Sequence, residues 1–378
     1  MSSPRAAAEA WIAGFEKWGP VAVTRQLASR LAKAHYYPAV SDSTPLPQIC
    51  TELSAAYAAR DVDPYLAAMN ALSAAAPHCE PSDVDTALHS LAPILREAHL
   101  GRGGGLPAFA YDIAEHATGP GPLLPVLVDR AIEALTGAAA FTIAAAGLDM
   151  ALPDPEDQSA AADTLAAFTA GGGDPALVEA WFAANDWTRP LLWLSVRGDV
   201  RAIFPKRDEL IAVAETVEHI YAAAWLPDLL RVLDDEPMLV LHRPTGRAFR
   251  VTISGVGDNF QLHTLLAVHL IGAAGLPGDP PSAVEAAAAT DGEVQPEEVI
   301  RGRFNLVDAF GERVWNEGIP ADIPLLDGER VLVLDDPEYS MVWGTGRPFP
   351  SMVPTMVVEE LLQAEAAVWW GSVAAAKG

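Results

Sequence analysis

Cysteine and positive charge are both scarce in this sequence. Cys50 and Cys79 are its two cysteines, too few for the disulfide framework of a small secreted domain. Lys and Arg number 24 against 50 Asp and Glu, for a formal net charge of −26. Because such a surplus of negative charge repels nucleic acid and anionic membranes, we expect a cytoplasmic protein with no nucleic-acid or membrane partner.

Long apolar runs are also missing. The longest uncharged apolar stretch, Ala134–Leu148, is shorter than the roughly 18 residues that cross a bilayer, and it predicts a buried helix. Charged residues interrupt the N-terminal region at Glu9, Glu16 and Lys17, a pattern that argues against a signal peptide. With 51% hydrophobic residues among 378, the chain is large enough for two domains with buried cores.

The hydrophobic period changes near residue 235. Before it, apolar residues recur at helical spacing, as in Trp11, Phe15 and Trp18. After it, apolar and polar residues alternate in short runs, as in a predicted hairpin of Met238–Arg243 and Arg247–Ile253. The sequence therefore predicts an α+β protein, with a helical domain at 1–235 and a mixed sheet-and-helix domain at 236–378 that holds the ligand site.

Further elements follow from the same two periods. Two later segments, Arg313–Asn316 and Arg330–Leu334, have strand character, whereas Val357–Ala375 is predicted to be a helix. Leu191–Val196 and Val200–Phe204 fit either a hairpin or two pieces of buried helix, because short apolar runs suit both.

No local motif fixes a reaction. Gly255-Val256-Gly257 lies between a predicted strand and helix, but Phe260 stands where a dinucleotide-binding loop has its third glycine. Gly101–Gly105 lacks the Lys-Ser/Thr ending of a phosphate loop. Candidate site residues therefore have to be chosen by side-chain chemistry.

A basic segment lies in the predicted hairpin. Pro237–Gly257 contains no acidic residue but carries His242, Arg243, Arg247 and Arg250. Such a segment can bind a carboxylate or phosphate, and we assign His242 and Arg250 to ligand binding. The alternative is that these arginines pair with carboxylates of the protein itself.

Asp258 and His263 are the candidate catalytic residues. Asp258 precedes a predicted helix, where it can also act as N-cap, with Gln261 completing a capping-box-like pair. His263 lies near the start of that helix, off the apolar stripe on which His269 falls, so we expect it to face solvent. The positive end of the helix dipole would keep its imidazole neutral and available as a base or metal ligand.

Metal and cofactor remain unassigned from the sequence. An iron site with two histidines and one carboxylate would require His263, His242 and either Asp258 or Glu317 to meet in the fold. The spacing of these residues neither requires nor excludes such a meeting.

A second candidate surface is aromatic. Trp315, Asn316 and Glu317 lie in one turn region, and Arg347 follows Trp343 in another. Aromatic walls with a few polar groups are typical of pockets for small molecules or peptides, although the same residues also build rigid turns. We assign them to ligand binding, together with Asn259.

The stretches His242–Leu270 and Trp315–Pro350 resemble uncharacterised proteins of high-GC bacteria. The resemblance covers the C-terminal third and implies a role in specialised metabolism, including that of peptide natural products. It carries no chemistry that transfers to individual residues.

Two functions fit these observations. The first is a biosynthetic or tailoring enzyme that acts on a small molecule or peptide in the C-terminal domain, with metal-assisted oxidation as its most specific form. The alternative is a non-catalytic peptide-binding or scaffold protein. A homodimer is compatible with both.

Overall fold

The computed structural model describes residues 44–102, 105–292, 299–337, 339–344 and 346–377. Within these ranges it contains thirteen α-helices and a mixed β-sheet, and most of the helices precede the strands. The predicted α+β class is therefore confirmed. The predicted helix with Trp11, Phe15 and Trp18 lies outside the described residues.

The chain divides into two compact units between Leu230 and Arg231, whereas the sequence analysis placed the boundary after Asp235. The described residues from 44 to 230 are called the helical unit, and those from 231 to 377 the mixed-sheet unit. None of the helices in the described ranges combines the length and the apolar character needed to cross a membrane.

Ten helices form the described helical unit. They are α1 (Leu46–Ala59), α2 (Val62–Ala75), α3 (Pro81–Glu97), α4 (Leu106–Ala114), α5 (Leu123–Gly147), α6 (Ala161–Ala170), α7 (Pro175–Leu194), α8 (Gly198–Ala202), α9 (Arg207–Ala214) and α10 (Tyr221–Leu230). The open alternative for residues 191–204 is thus resolved as helix.

Helices α5 and α7 pack closely at the centre of the helical unit. A Cβ atom on Gly137 would lie only 2.5 Å from the Cβ of Ala180, so the two backbones approach where both residues are small. Beside this contact, the buried ring of Phe141 lies 5.0 Å from Phe168 and 5.4 Å from Trp181 between centroids. Aromatic packing of this kind stabilises a core.

Eight strands belong to the described mixed-sheet unit. They are β1 (Glu236–His242), β2 (Arg247–Ser254), β3 (Val299–Arg301), β4 (Asn305–Asp308), β5 (Leu325–Leu326), β6 (Glu329–Asp335), β7 (Val342–Gly344) and β8 (Thr355–Glu360). The main sheet has the order β4-β6-β1-β2-β8, with β5 also paired to β6, while β3 and β7 form a separate two-stranded sheet.

The predicted hairpin is the centre of the main sheet. Strands β1 and β2 are antiparallel, with Met238 opposite Val251 and His242 opposite Arg247, while β1 and β6 run parallel. The predicted turn at Asp327-Gly328 joins β5 to β6, and both residues have positive φ, 52° and 85°. That conformation is typical of Asp-Gly hairpin turns.

Helices cover both faces of the main sheet. One face is covered by α11 (Asn259–Ala267), the π-helical turn Val268–Ala273 and α12 (Ala283–Ala289). These helices form a core with the even-numbered side chains of β1 and the odd-numbered side chains of β2. On the other face, Leu239 and Leu241 pack with residues of α13 (Gln363–Trp370). Burial on both faces explains why β1 and β6 are continuous apolar runs.

Two predicted elements differ from the structure. The segment predicted as one helix, Val357–Ala375, contains strand β8 and then α13. Its β-branched start pairs with β2, where Val357 lies opposite Thr252. The predicted strand Arg313–Asn316 is reduced to one bridge between Arg313 and Val307.

Candidate functional site

The mixed-sheet unit contains a pocket of about 330 Å³ beside the small β3–β7 sheet. Its walls combine the loop that follows β4 with the segment that leads into β7. Phe260 of α11 also lines it. The lining includes Phe260, Phe304, Arg313, Trp315, Asn316, Glu317, Tyr339, Ser340, Met341 and Trp343.

Asn259 fixes one wall of this pocket to the start of α11. Its side-chain Nδ2 donates to the carbonyl of Trp315 at 2.9 Å, and its backbone N–H donates to the carbonyl of Gly318 at 2.9 Å. The backbone N–H of Phe260 donates to the carbonyl of Asn316 at 3.1 Å. The predicted ligand-binding residue Asn259 is therefore buried beneath the loop that it holds, and its own side chain does not line the pocket.

His263 lies under the pocket and is 1% exposed, so the expectation that it faces solvent is wrong. Its Nε2 accepts hydrogen bonds from the backbone N–H groups of Arg303 at 2.9 Å and Phe304 at 3.1 Å. Nδ1 therefore carries the ring proton, and it faces Oδ1 of Asn316 at 3.5 Å. His269, predicted to face the core, is only half-buried.

The environment of His263 keeps its ring neutral. Burial, together with the positive charge of Arg303, lowers its pKa to about 4 despite the contact with Asn316. Its ring packs against Trp343 at 5.0 Å and Phe304 at 5.7 Å between centroids. Because Nε2 holds two backbone N–H groups, this arrangement leaves neither nitrogen available to bind a metal or abstract a proton.

Asp258 is the N-cap of α11, as the sequence predicts. Its carboxylate accepts from the backbone N–H of Gln261 at 2.7 Å. Gln261 does not complete a capping box, because its Oε1 accepts from the backbone N–H of Gly257 instead, at 2.8 Å. Burial raises the pKa of Asp258 to about 6, against the opposing effect of the backbone hydrogen bonds. Asp258 does not line the pocket.

Arg313 is held in the pocket wall by aromatic rings. Its guanidinium carbon lies 5.0 Å from the centroid of Trp315 and 5.2 Å from that of Tyr339. Nη2 donates to the hydroxyl of Tyr339 and contacts Sδ of Met341 at 3.7 Å. Within the described ranges, no carboxylate forms an ion pair with this guanidinium.

The basic segment of the hairpin is arranged differently, because each of its arginines pairs with a carboxylate. Carboxylates of β6 and β8, which flank the hairpin, meet them at 2.5–2.6 Å: Arg243 with Asp335, Arg247 with Glu360, and Arg250 with Glu329. The structure therefore shows the alternative arrangement, in which these arginines pair with carboxylates of the protein itself. The predicted ligand-binding residue Arg250 is neutralised by Glu329 and lies outside the pocket lining.

His242 and Arg347 also lie outside the pocket lining. His242 is buried at the end of β1, where its Nδ1 lies 2.8 Å from the hydroxyl of Thr245 and burial lowers its pKa. Arg347 donates to the carbonyl of Ala288 in the last turn of α12, at 2.6 Å, and to that of Gly292 just after the helix, at 3.1 Å. Such contacts with terminal carbonyls stabilise a helix end.

The metal-ligand set considered in the sequence analysis is not assembled. Across the described ranges, no three His, Cys, Asp or Glu side chains group closely enough to hold a metal ion. His242 and His263 each pack against the ring of Phe304, at 6.0 Å and 5.7 Å between centroids.

Three of the predicted ligand-binding residues do meet in the pocket: Trp315, Asn316 and Glu317. Arg313 and Tyr339 were missed as site residues. Arg313 could have been found from the sequence, because it is two residues from Trp315. The segment was instead predicted to be a strand. The sequence around Phe260 shows only that this residue interrupts a glycine motif, and it gives no sign that the ring lines a pocket.

Comparison of the chain with models of protein families, with curated proteins and with solved structures found no match. The fold and the pocket therefore define this protein as an α+β protein with a candidate ligand-binding site. The resemblance to proteins of high-GC bacteria stays a prediction.

Proposed function

We propose that the mixed-sheet unit binds a small molecule or peptide in the pocket beside β3 and β7. The observation that carries this proposal is the exposure of large rings at a preformed concavity. Trp315 is 63% exposed and Tyr339 is 53% exposed, and both line the pocket. Exposed aromatic side chains that surround a few polar groups are a common basis of ligand recognition.

The pocket has a rigid base that supports this proposal. His263 holds the backbone at Arg303 and Phe304, and Asn259 holds the loop at Trp315. Because His263 and Asn259 are themselves buried, ligand binding would require little ordering of the wall, which favours affinity. Binding without catalysis is the function that this arrangement supports best.

A screen of aromatic fragments and short peptides by ligand-observed NMR tests the proposal. Ser340 is exposed in the pocket lining, so Ser340→Trp would fill the cavity without removing a core contact. Ser372, also exposed and outside the lining, provides the control variant Ser372→Trp. We expect ligands of the wild-type protein to be lost from Ser340→Trp and kept by Ser372→Trp. Equal binding to both variants would contradict the proposal.

A biosynthetic or tailoring enzyme is the second candidate, and Asp258 is the residue that favours it. A carboxyl group with a pKa of about 6 exchanges its proton near neutral pH, as a general acid or base must. Asp258→Ser preserves an N-cap while removing the carboxyl group. Once a ligand is known, loss of its turnover in a variant that still binds it would support the enzyme. Unchanged turnover would exclude Asp258 from catalysis.

A further inference from the structure

The pocket wall contains hydrogen-bond donors, on Arg313, Asn316 and Trp343, that have few acceptors among the described residues. Arg313 carries a positive charge that no described carboxylate balances, and its contacts are rings, a hydroxyl group and a thioether. In a chain with 50 acidic and 24 basic residues, carboxylates are abundant, and Arg243, Arg247 and Arg250 of the hairpin segment each pair with one. The guanidinium of Arg313 is therefore suited to a carboxylate that comes from outside the protein.

The tautomer of His263 determines what Asn316 presents. Since two backbone N–H groups occupy Nε2 of His263, the proton on Nδ1 faces Oδ1 of Asn316. The amide orientation is thereby fixed. The Nδ2 group of Asn316 is left as a second donor in the pocket lining, with no acceptor among the described residues.

Trp343 provides an independent observation. It lines the pocket, and its indole Nε1–H is shielded from solvent without a hydrogen-bond acceptor among the described residues. Buried polar groups in proteins are nearly always hydrogen-bonded. Because this N–H group has almost no accessible surface, a small rotation of Trp343 would be needed to bring it to an oxygen of the ligand.

We propose that the ligand carries a carboxylate beside a planar apolar group, with Arg313 and Asn316 binding the carboxylate and the rings of Phe260 and Trp343 packing on the apolar part. This inference rests on the proposed function. Two sources share this chemistry: a small aromatic acid, and the C-terminus of a peptide that ends in an aromatic residue. Glu317, an exposed carboxylate in the same lining, repels a bound anion and so limits its affinity.

The test compares N-acetyl-tryptophan with N-acetyl-tryptophanamide, which share a ring system and differ in the carboxylate. Binding is measured by titration calorimetry to the full chain. We expect the acid to bind about tenfold more tightly than the amide, as a charge-assisted hydrogen bond implies. Arg313→Gln should remove this preference by weakening the acid alone, and Glu317→Gln should strengthen the acid.

Arg250→Gln is the matched control, because it removes the same charge from the same unit outside the pocket lining. It should leave the preference for the acid unchanged. If Arg313→Gln and Arg250→Gln weakened binding of the acid equally, the preference would come from the overall charge of the protein, and the inference would be overturned. Thermal melting of each variant separates lost binding from lost folding.

The remaining outcomes distinguish this inference from the proposed function. Equal binding of acid and amide, abolished by Ser340→Trp, would overturn the carboxylate inference and leave the pocket intact. Binding of neither probe would also overturn the inference, while the fragment and peptide screen decides the pocket separately. If the acid is preferred, the affinities of indole-3-acetate and of the peptide Ala-Ala-Ala-Trp are then compared. Tighter binding of indole-3-acetate would indicate a small aromatic acid as the ligand, and tighter binding of the peptide would indicate a peptide C-terminus.

Discussion

The hairpin β1–β2 and the pocket wall belong to the same unit, yet they use arginine in opposite ways. Each arginine of the hairpin segment pairs with a carboxylate of a neighbouring strand, whereas Arg313 is held by two aromatic rings. A cluster of basic residues in the sequence is therefore a poor guide to an anion site. The structure instead favours Arg313, an isolated arginine that forms no ion pair with a carboxylate of the described residues.

The largest effect should come from the base of the pocket. We expect His263→Ala to lower the free energy of unfolding by about 2–4 kcal/mol, because it leaves two backbone N–H groups unpaired and opens a cavity beside Phe304. Urea denaturation measures the loss. His269→Ala is the control, since that half-buried residue lies further along, in the π-helical turn Val268–Ala273, and should lose less. A smaller effect at His263 than at His269 would contradict this account of the base.

A second effect should come from the ion pair next to the pocket. Glu285 accepts from Arg303 at 2.9 and 3.1 Å, and both side chains are largely buried. Burial alone would raise the pKa of Glu285, but Arg303 and the backbone N–H groups of Ser282 and Arg301 lower it to about 2.

A depressed carboxyl pKa means that its stabilising contribution is present above the usual pKa of 4.5 and is lost as the pH falls toward 2. Glu285→Gln should lower the free energy of unfolding at pH 7 by about 1–3 kcal/mol, because the charge of Arg303 loses its partner. In this variant the free energy of unfolding should also depend less on pH between pH 5 and pH 2, as measured by urea denaturation. An unchanged pH profile would show that this pair does not contribute.

Asp258 should have the opposite pH dependence. Its pKa is raised from 3.8 to about 6, so the native state binds the proton more tightly than the unfolded chain does. Stability should therefore fall as the pH rises through this window, by up to about 3 kcal/mol. Asp258→Ser keeps an N-cap and should flatten the profile between pH 4 and pH 7. If the variant retains the wild-type slope, another group is responsible.

The smallest effects on stability should come from the two arginines, Arg250 with its ion pair and Arg313 with its aromatic contacts. Arg250→Gln breaks a partly exposed ion pair and should lower the free energy of unfolding by less than about 1 kcal/mol. Arg313→Gln removes no ion pair within the described ranges and should change stability about as little, within roughly 0.5 kcal/mol. Thermal melting checks both values. A markedly lower melting temperature for Arg313→Gln would indicate that its contacts with Trp315 and Tyr339 hold the fold together.

The error at His263 has a physical origin. The apolar stripe of α11 predicts one buried face and one exposed face, with His263 on the exposed face. In the structure, nearly every residue of α11 is buried, including the polar residues Gln261, His263 and Thr264. A helix enclosed on all sides gives no stripe, so periodicity alone could not place its histidine.

Sequence patterns correctly predicted the features that depend on short-range interactions. The N-cap at Asp258, the turn at Asp327-Gly328 and the hairpin of β1 and β2 depend on interactions between near neighbours. The loss of the predicted helix at Val357–Ala375 shows the limit, because pairing with β2 made its first part a strand.

The sequence by itself determined the class of the fold, the hairpin, the cap and the aromatic turn that carries Trp315, since each follows from hydrophobic period or from short-range hydrogen bonding. Only the tertiary structure decided which polar groups are satisfied. Whether Arg250 meets Glu329, or His263 meets the backbone of Arg303 and Phe304, depends on segments some 40 to 80 residues apart. Side-chain availability is set by those distant contacts, and it is availability that makes Arg313 a candidate for binding a ligand.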